Sequence, residues 1–150
     1  MCEIKIIDGE IFNDHRGRIT SANNLAFTEI RRSYLIENAD TEIIRGWHGH
    51  KQEKKWFWCL RGCFIAAFVE IDEWQNPSRD LKPEVYRLNA ARNQVVCVPE
   101  GYANCFRADE PGSMLLVFSS NTYPECLSDS CATSRTIGST GMNSNGNTIR

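Results

Sequence analysis

The sequence predicts an all-β chain closed into a jelly roll or a related barrel, and three observations predict it. About eight short runs carry the apolar pattern of strands, either alternating or continuous. Turn-forming residues fall between those runs, and no apolar stripe at helical spacing extends beyond two turns. At 150 residues, the chain has the length of one domain with a real core.

In order, the first strand is Glu3–Ile7, a short apolar alternation stopped by Asp8-Gly9. Asn13-Asp14 and Arg16-Gly17 mark turns ahead of a strand at Arg18–Ser21, and Ser33–Glu37 follows. Lys55–Leu60 holds the run Trp56-Phe57-Trp58-Cys59-Leu60 and ends at Arg61-Gly62, before the apolar strand Phe64–Ile71. Asn76-Pro77 separates that strand from Glu84–Leu88. Val95–Val98 runs into Pro99-Glu100-Gly101, and Pro111-Gly112 precedes Met114–Ser119. From Ser128 to Arg150 the composition turns to Ser, Thr, Asn and Gly, so the expected domain covers residues 1–127 and residues 128–150 form a disordered polar tail.

The formal net charge is −2, with acidic and basic residues interspersed, so no surface built to hold nucleic acid is expected. No apolar run reaches the length a bilayer requires and no secretory leader is evident; the expectation is a cytoplasmic protein without a membrane partner. Seven cysteines form an odd set without paired CxxC spacing, which fits reduced thiols. Cys59 and Cys97 lie in apolar runs and read as small buried hydrophobes.

The chemistry concentrates in Arg45-Gly46-Trp47-His48-Gly49-His50, which carries two of the three histidines. In a strand, a spacing of two puts both imidazoles on one face. Two such groups beside an arginine point to proton transfer or metal binding. The third histidine, His15, sits in a polar turn next to Asp14 and reads as solvated.

Several motifs in order carry a resemblance: Asp14-His15-Arg16-Gly17, Arg45-Gly46-Trp47-His48, Lys55 seven residues before Gly62, Val69-Glu70-Ile71-Asp72, Val98-Pro99-Glu100-Gly101-Tyr102-Ala103 with Phe106, and Tyr123-Pro124-Glu125. Over residues 10 to 125 the chain resembles the cupin-type dTDP-4-dehydrorhamnose 3,5-epimerases. The resemblance implies a cupin double-stranded β-helix and an isomerase acting on a dTDP-linked 4-keto-6-deoxyhexose, without a cofactor. It implies that His48 is the general base, Lys55 stabilises an enolate oxygen and Tyr123 is the acid. Arg45 and Arg16 would hold the nucleotide-sugar, and Asn104, where those enzymes usually carry histidine, joins the substrate-binding set. Trp47 reads first as a core or dimer-contact residue, but it lies between the key groups and is counted with the pocket lining. It also implies a homodimer, with the Arg16 segment reaching toward the partner's pocket.

The chemistry agrees with those roles. A ketone at C4 makes the hydrogens on C3 and C5 acidic, and a neutral imidazole takes one up near pH 7. A nearby ammonium then stabilises the charge that develops on the oxygen. His50 brings the chain closer to the sister sugar-nucleotide 3,4-ketoisomerases, whose Arg-Gly-x-His-x-His-Lys signature resembles Arg45 to Lys51. The epimerase reading ranks first; the ketoisomerase, using the His48 and His50 pair, and a catalytically silent nucleotide-sugar-binding cupin are the alternatives. A metal is not expected. Glu53 falls too early for the glutamate of metal cupins, Lys54 and Lys55 occupy its place, and Asn104 stands where the last ligand would be.

Overall fold

The structure, a computed structural model, describes residues 3–131. Two five-stranded antiparallel sheets pack face to face. One has the order β1-β9-β6-β11-β4, from Lys5–Asp8, Gln94–Val98, Lys55–Arg61, Met114–Ser119 and Arg32–Ile36. The other has the order β12-β5-β10-β7-β8, from Ser130–Cys131, Ile44–His50, Tyr102–Ala108, Cys63–Glu70 and Glu84–Asn89. A separate hairpin pairs β2, Glu10–Asp14, with β3, Gly17–Ser21, and one short helix, α1, covers Tyr123–Asp129. The all-β cupin expectation is borne out.

All eight expected strands are present, with ends within two residues of those read from the sequence. Strands β2, β10 and β12 were not expected, and β5 only as the strand that the His48 and His50 spacing presupposes. β10 reads Tyr-Ala-Asn-Cys-Phe-Arg-Ala, whose small and polar residues hide a strand that is buried on both faces. The expected boundary at residue 127 falls inside α1; Ser128 and Asp129 complete that helix, and Ser130–Cys131 pairs with His50 and Gly49 of β5. The rest of the polar tail, 132–150, lies outside the described residues.

Alternation along the strands builds three layers. Phe57 and Cys59 of β6, Phe64, Ala66 and Phe68 of β7, Val96 and Val98 of β9, Phe106 of β10, and Leu115 and Val117 of β11 face inward and form the barrel core. The Phe57 and Phe68 rings lie 5.0 Å apart, and burial of each such side chain stabilises the fold by about 1.5–3 kcal/mol. The opposite residues of β6, Trp56 and Trp58, pack outside the first sheet with Leu25, Val95 and Phe118. Trp47, Ile65, Ala67, Val69 and Cys105 form the outer layer of the second sheet, under Trp74 and Leu81 of the β7–β8 connection. Asn93 ties the β2–β3 hairpin to the barrel: its amide nitrogen donates to the carbonyls of Glu10 and Ser21, while its side-chain oxygen accepts from Trp58 Nε1.

Cys59 and Cys97 are buried free thiols, as expected of small hydrophobes, and Cys63 and Cys105 are buried free thiols as well. Burial pushes the Cys59 and Cys105 thiols up to about 11, which keeps them protonated and unreactive.

Candidate active site

Cross-strand partners share a face of a sheet, so the ladders show which side chains meet at one end of the barrel. On the second sheet His48 pairs with Asn104, and Asn104 pairs with Phe68, a core residue; His48 and Asn104 therefore face inward. On the first sheet Lys55 pairs with both Val98 and Ser119, and Ser119 pairs with Arg32. His50 follows His48 on the same face, as its spacing predicts. The result is a mouth with His48, His50 and Asn104 on one wall and Arg32, Tyr34, Lys55 and Ser119 on the facing wall.

The chain at β5 needs a glycine to make this approach. Gly46 has φ +151°, and a Cβ there would lie 2.6 Å from Cys105 Cα in β10. Two residues on, His48 is exposed to the mouth while His50 is buried.

Glu53, on the loop between β5 and β6, is the hub of the cluster. Its Oε2 lies 3.2 Å from His50 Nε2 and 3.4 Å from Lys55 Nζ. Its Oε1 accepts from the Ser119 hydroxyl at 2.5 Å and lies 3.5 Å from the Arg32 guanidinium. Arg32 is also over the Tyr34 ring, 5.0 Å from its centroid, and 5.6 Å from the centroid of Tyr123 at the start of α1. From the same helix, Cys126 Sγ comes within 3.7 Å of His50 Nε2 and 3.8 Å of Glu53 Oε2.

Burial, with help from Lys55 and Arg45, holds the His48 pKa below the ordinary 6.5, so the ring is neutral and basic near pH 7. Burial and Lys55 also lower His50, against the opposing pull of Glu53 and Asp129. Burial lowers the Lys55 ammonium too, and the Glu53 carboxylate opposes it. Burial and then Glu53 push the Tyr34 phenol up to about 12, leaving it a proton donor across the physiological range.

Four of the expected residues, His48, His50, Lys55 and Asn104, meet at this mouth. Tyr123 lies on its rim, 62% exposed and against Arg32. Arg45 donates from Nε to Asn38 Oδ1 at 2.9 Å and is near enough to His48 to depress its pKa. One placement differs from expectation. Trp47 does not line the pocket: the alternation that sends His48 inward sends Trp47 into the outer layer, where it is 5% exposed. Arg16 sits on the β2–β3 turn, paired with Asp14 at 2.6 Å and joined to no mouth residue among the described residues. Glu53, Arg32, Tyr34 and Ser119 were not anticipated.

His50, Glu53 and Cys126 place donor atoms within 4.8 Å of one another. We read this trio as a hydrogen-bonded cluster rather than a metal centre, because Ser119, Lys55 and Arg32 already occupy the carboxylate. Two cations at that range would repel a metal ion by several kcal/mol in total.

The family model described as FdtA, WxcM-like, C-terminal, matches residues 2–127. This chain belongs to that family. Solved structures share the WxcM-like chain's fold. The 3,4-ketoisomerase QdtA from Thermoanaerobacterium thermosaccharolyticum, in complex with TDP, superposes with a TM-score of 0.68 at 22% identity, over 88% of this chain and 89% of that one. The TDP-quinovose 3,4-ketoisomerase WlaRB from Campylobacter jejuni gives 0.63 at 20% identity, over 82% and 88%. The dTDP-4-dehydrorhamnose 3,5-epimerase from Bacillus anthracis, with TDP and PPi bound, gives 0.67 at 19% identity, over 81% and 74%. No curated protein matches the WxcM-like chain.

Proposed function

We propose that this chain is a nucleotide-sugar 3,4-ketoisomerase acting on a dTDP-linked 4-keto-6-deoxyhexose. The observation that carries the reading is the one-sided placement of the imidazoles. His48 is open to the mouth, and His50, beside it on β5, is engaged by Glu53. A base on one wall serves one face of a sugar ring. His48 takes the proton from C3 to give a 3,4-enediolate, the C3 hydroxyl gives up its proton as the C4 oxygen gains one, and the proton held by His48 returns to C4 on that same face, so C3 becomes the carbonyl and C4 the carbinol. Lys55 and Tyr34, on the opposing wall, supply donors to the oxygen on which charge develops.

The epimerase reading keeps a specific support of its own. Lys55 keeps the spacing to Gly62 of the epimerase signature, and Tyr34 and Tyr123 come from elements opposite His48, where an inverting acid would stand. Proton NMR in deuterium oxide of dTDP-4-keto-6-deoxyglucose with the protein separates the readings. A ketone at C3 with new hydrogen isotope at C4 supports the ketoisomerase. Deuterium with inverted couplings at C3 or C5 establishes the epimerase. Binding without exchange, equal to His48→Ala, leaves a silent cupin.

The working form is proposed to be a homodimer. The β2–β3 hairpin is a two-stranded sheet, marginal in water by itself, and it exposes Phe12 at 58% and Ile19 at 60% as cross-strand neighbours. Arg16 is on the turn of that hairpin, so a partner's mouth is where it would meet substrate. A monomeric mass by light scattering would remove this part of the reading. Cytoplasmic location is kept as part of the proposal; no helix among the described residues is long and apolar enough to cross a membrane.

A further inference from the structure

The carboxylate of Glu53 has no exposed surface, yet groups from five elements converge on it: Arg32 from β4, His50 from β5, Lys55 from β6, Ser119 from β11 and, more distantly, the Cys126 thiol from α1. Removing a carboxylate from water costs several kcal/mol even after relaxation, and a loop that merely closed this end of the barrel would do so with an apolar side chain. We propose that Glu53 is a positioning residue, which holds the His50 ring and the Lys55 ammonium in fixed register at the mouth and sets which nitrogen of His50 carries the proton.

The geometry gives the assignment. A carboxylate oxygen 3.2 Å from His50 Nε2 is attractive only when that nitrogen bears hydrogen, so the proton resides on Nε2 and the lone pair on Nδ1. Nδ1 is buried and has no hydrogen-bond partner among the described residues, so no acceptor holds the proton there, and the Cys126 thiol, 3.7 Å from Nε2, is a weak donor against the charged carboxylate. His50 is thereby excluded as the first base, and His48 is left to take the substrate proton. Oε2 is shared between His50 and Lys55, so the two cannot move independently. Oε1 is fixed by Ser119 and Arg32, which stops the carboxylate from rotating toward either. The titratable and charged groups facing this pair are Arg32 and Tyr34 from β4, His48 from β5, Lys55 from β6, and Cys126 and Asp129 from α1. Glu53 is the carboxylate in direct contact with both His50 and Lys55.

The test is an NMR titration of the imidazole resonances in full-length wild type, Glu53→Gln and Glu53→Asp, with folding followed by circular dichroism. Glu53 favours the charged form of His50 and of Lys55, so Glu53→Gln displaces the His50 titration to lower pH and lifts the preference for Nε2–H in the nitrogen shifts. Glu53→Asp, which keeps the charge but withdraws it by one methylene, gives an intermediate displacement and stands in for Gln if that variant does not fold. An unmoved His50 titration in a folded variant overturns the proposal. The kinetic arm, and only that arm, rests on the proton-transfer reading. There kcat falls about 100-fold in Glu53→Gln, the scale of a misplacement of about 1 Å, with KM little changed and partial recovery in Glu53→Asp. A loss of kcat no larger than the loss of folded protein, without recovery in Asp, overturns positioning in favour of a structural pin. A His50 displacement in a protein without isomerase activity upholds the positioning and removes the functional reading instead.

Discussion

Asn104 lies directly across the β5–β10 ladder from His48, buried where His48 is open. Its amide makes no side-chain hydrogen bond among the described residues, so it faces the mouth with donor and acceptor available to a ligand. An amide cannot take up a proton near pH 7, and this leaves His48 as the base on its wall. Asn104→Ala should therefore weaken binding without changing the chemistry. Steady-state kinetics should show KM raised about 10-fold, the scale of one net hydrogen bond, with kcat nearly unchanged. A fall in kcat of similar size would instead place Asn104 in the proton-transfer step.

In the proposed reaction His48 carries the step, so His48→Ala should lower kcat by about 10²–10⁴-fold. The pH dependence gives a finer check. Burial, Lys55 and Arg45 all lower the His48 pKa, so the acid limb of kcat/KM lies below 6.5 in the wild type. Lys55→Met removes one of those influences and should move the acid limb upward, while lowering kcat about 10²–10³-fold through the lost stabilisation of the oxyanion. An acid limb that stays in place would show that another group controls it.

The same shifts act on stability. Both mouth imidazoles titrate lower in the fold than the ordinary 6.5 expected of the unfolded chain, so the unfolded chain binds more protons between the two values. Their contribution is full above about pH 6.5 and declines as pH falls through that range toward the folded pKa. Calorimetry from pH 7.5 to 5.5 should record a falling Tm, with a flatter slope in His50→Gln. A slope equal to wild type would show that His50 does not sense the fold.

Most of the architecture was legible because strands announce themselves by period and punctuation. Phe64–Ile71 and Met114–Ser119 are apolar runs bounded by turn residues, and both are strands. β10 was hidden because its inward positions include Asn104, a polar residue placed there by the site rather than by packing. The histidine pair was visible as a spacing of two, and the same rule, applied to Trp47 between them, already sends that ring to the opposite face. The sequence offers Glu53 only as the glutamate of a metal cupin, a place for which it falls too early. Between Gln52 and Lys54, in a charge-rich stretch, it has the sequence environment of a solvated residue, and only the closure of β4, β5, β6 and β11 around it makes it buried. Arg32 and Tyr34 were missed for a related reason: a strand alternation says that they share a face but not that the face ends at a mouth.

Gly46 links the backbone to that mouth. With φ +151° and Cys105 Cα 2.6 Å from the place of a Cβ, Gly46→Ala must either push β5 from β10 or abandon the local conformation. Overpacking of this kind costs about 1–3 kcal/mol. The displaced strand carries His48 two residues later, so the loss should appear twice, as a lower Tm and as a kcat reduced in the fraction that remains folded. Gly101, by contrast, has open space around its Cβ position despite φ +85°, so Gly101→Ala strains only its own turn. It should lower Tm without lowering the kcat of the folded protein. Equal kcat losses in the two variants would mean that His48 is not held by the β5–β10 contact.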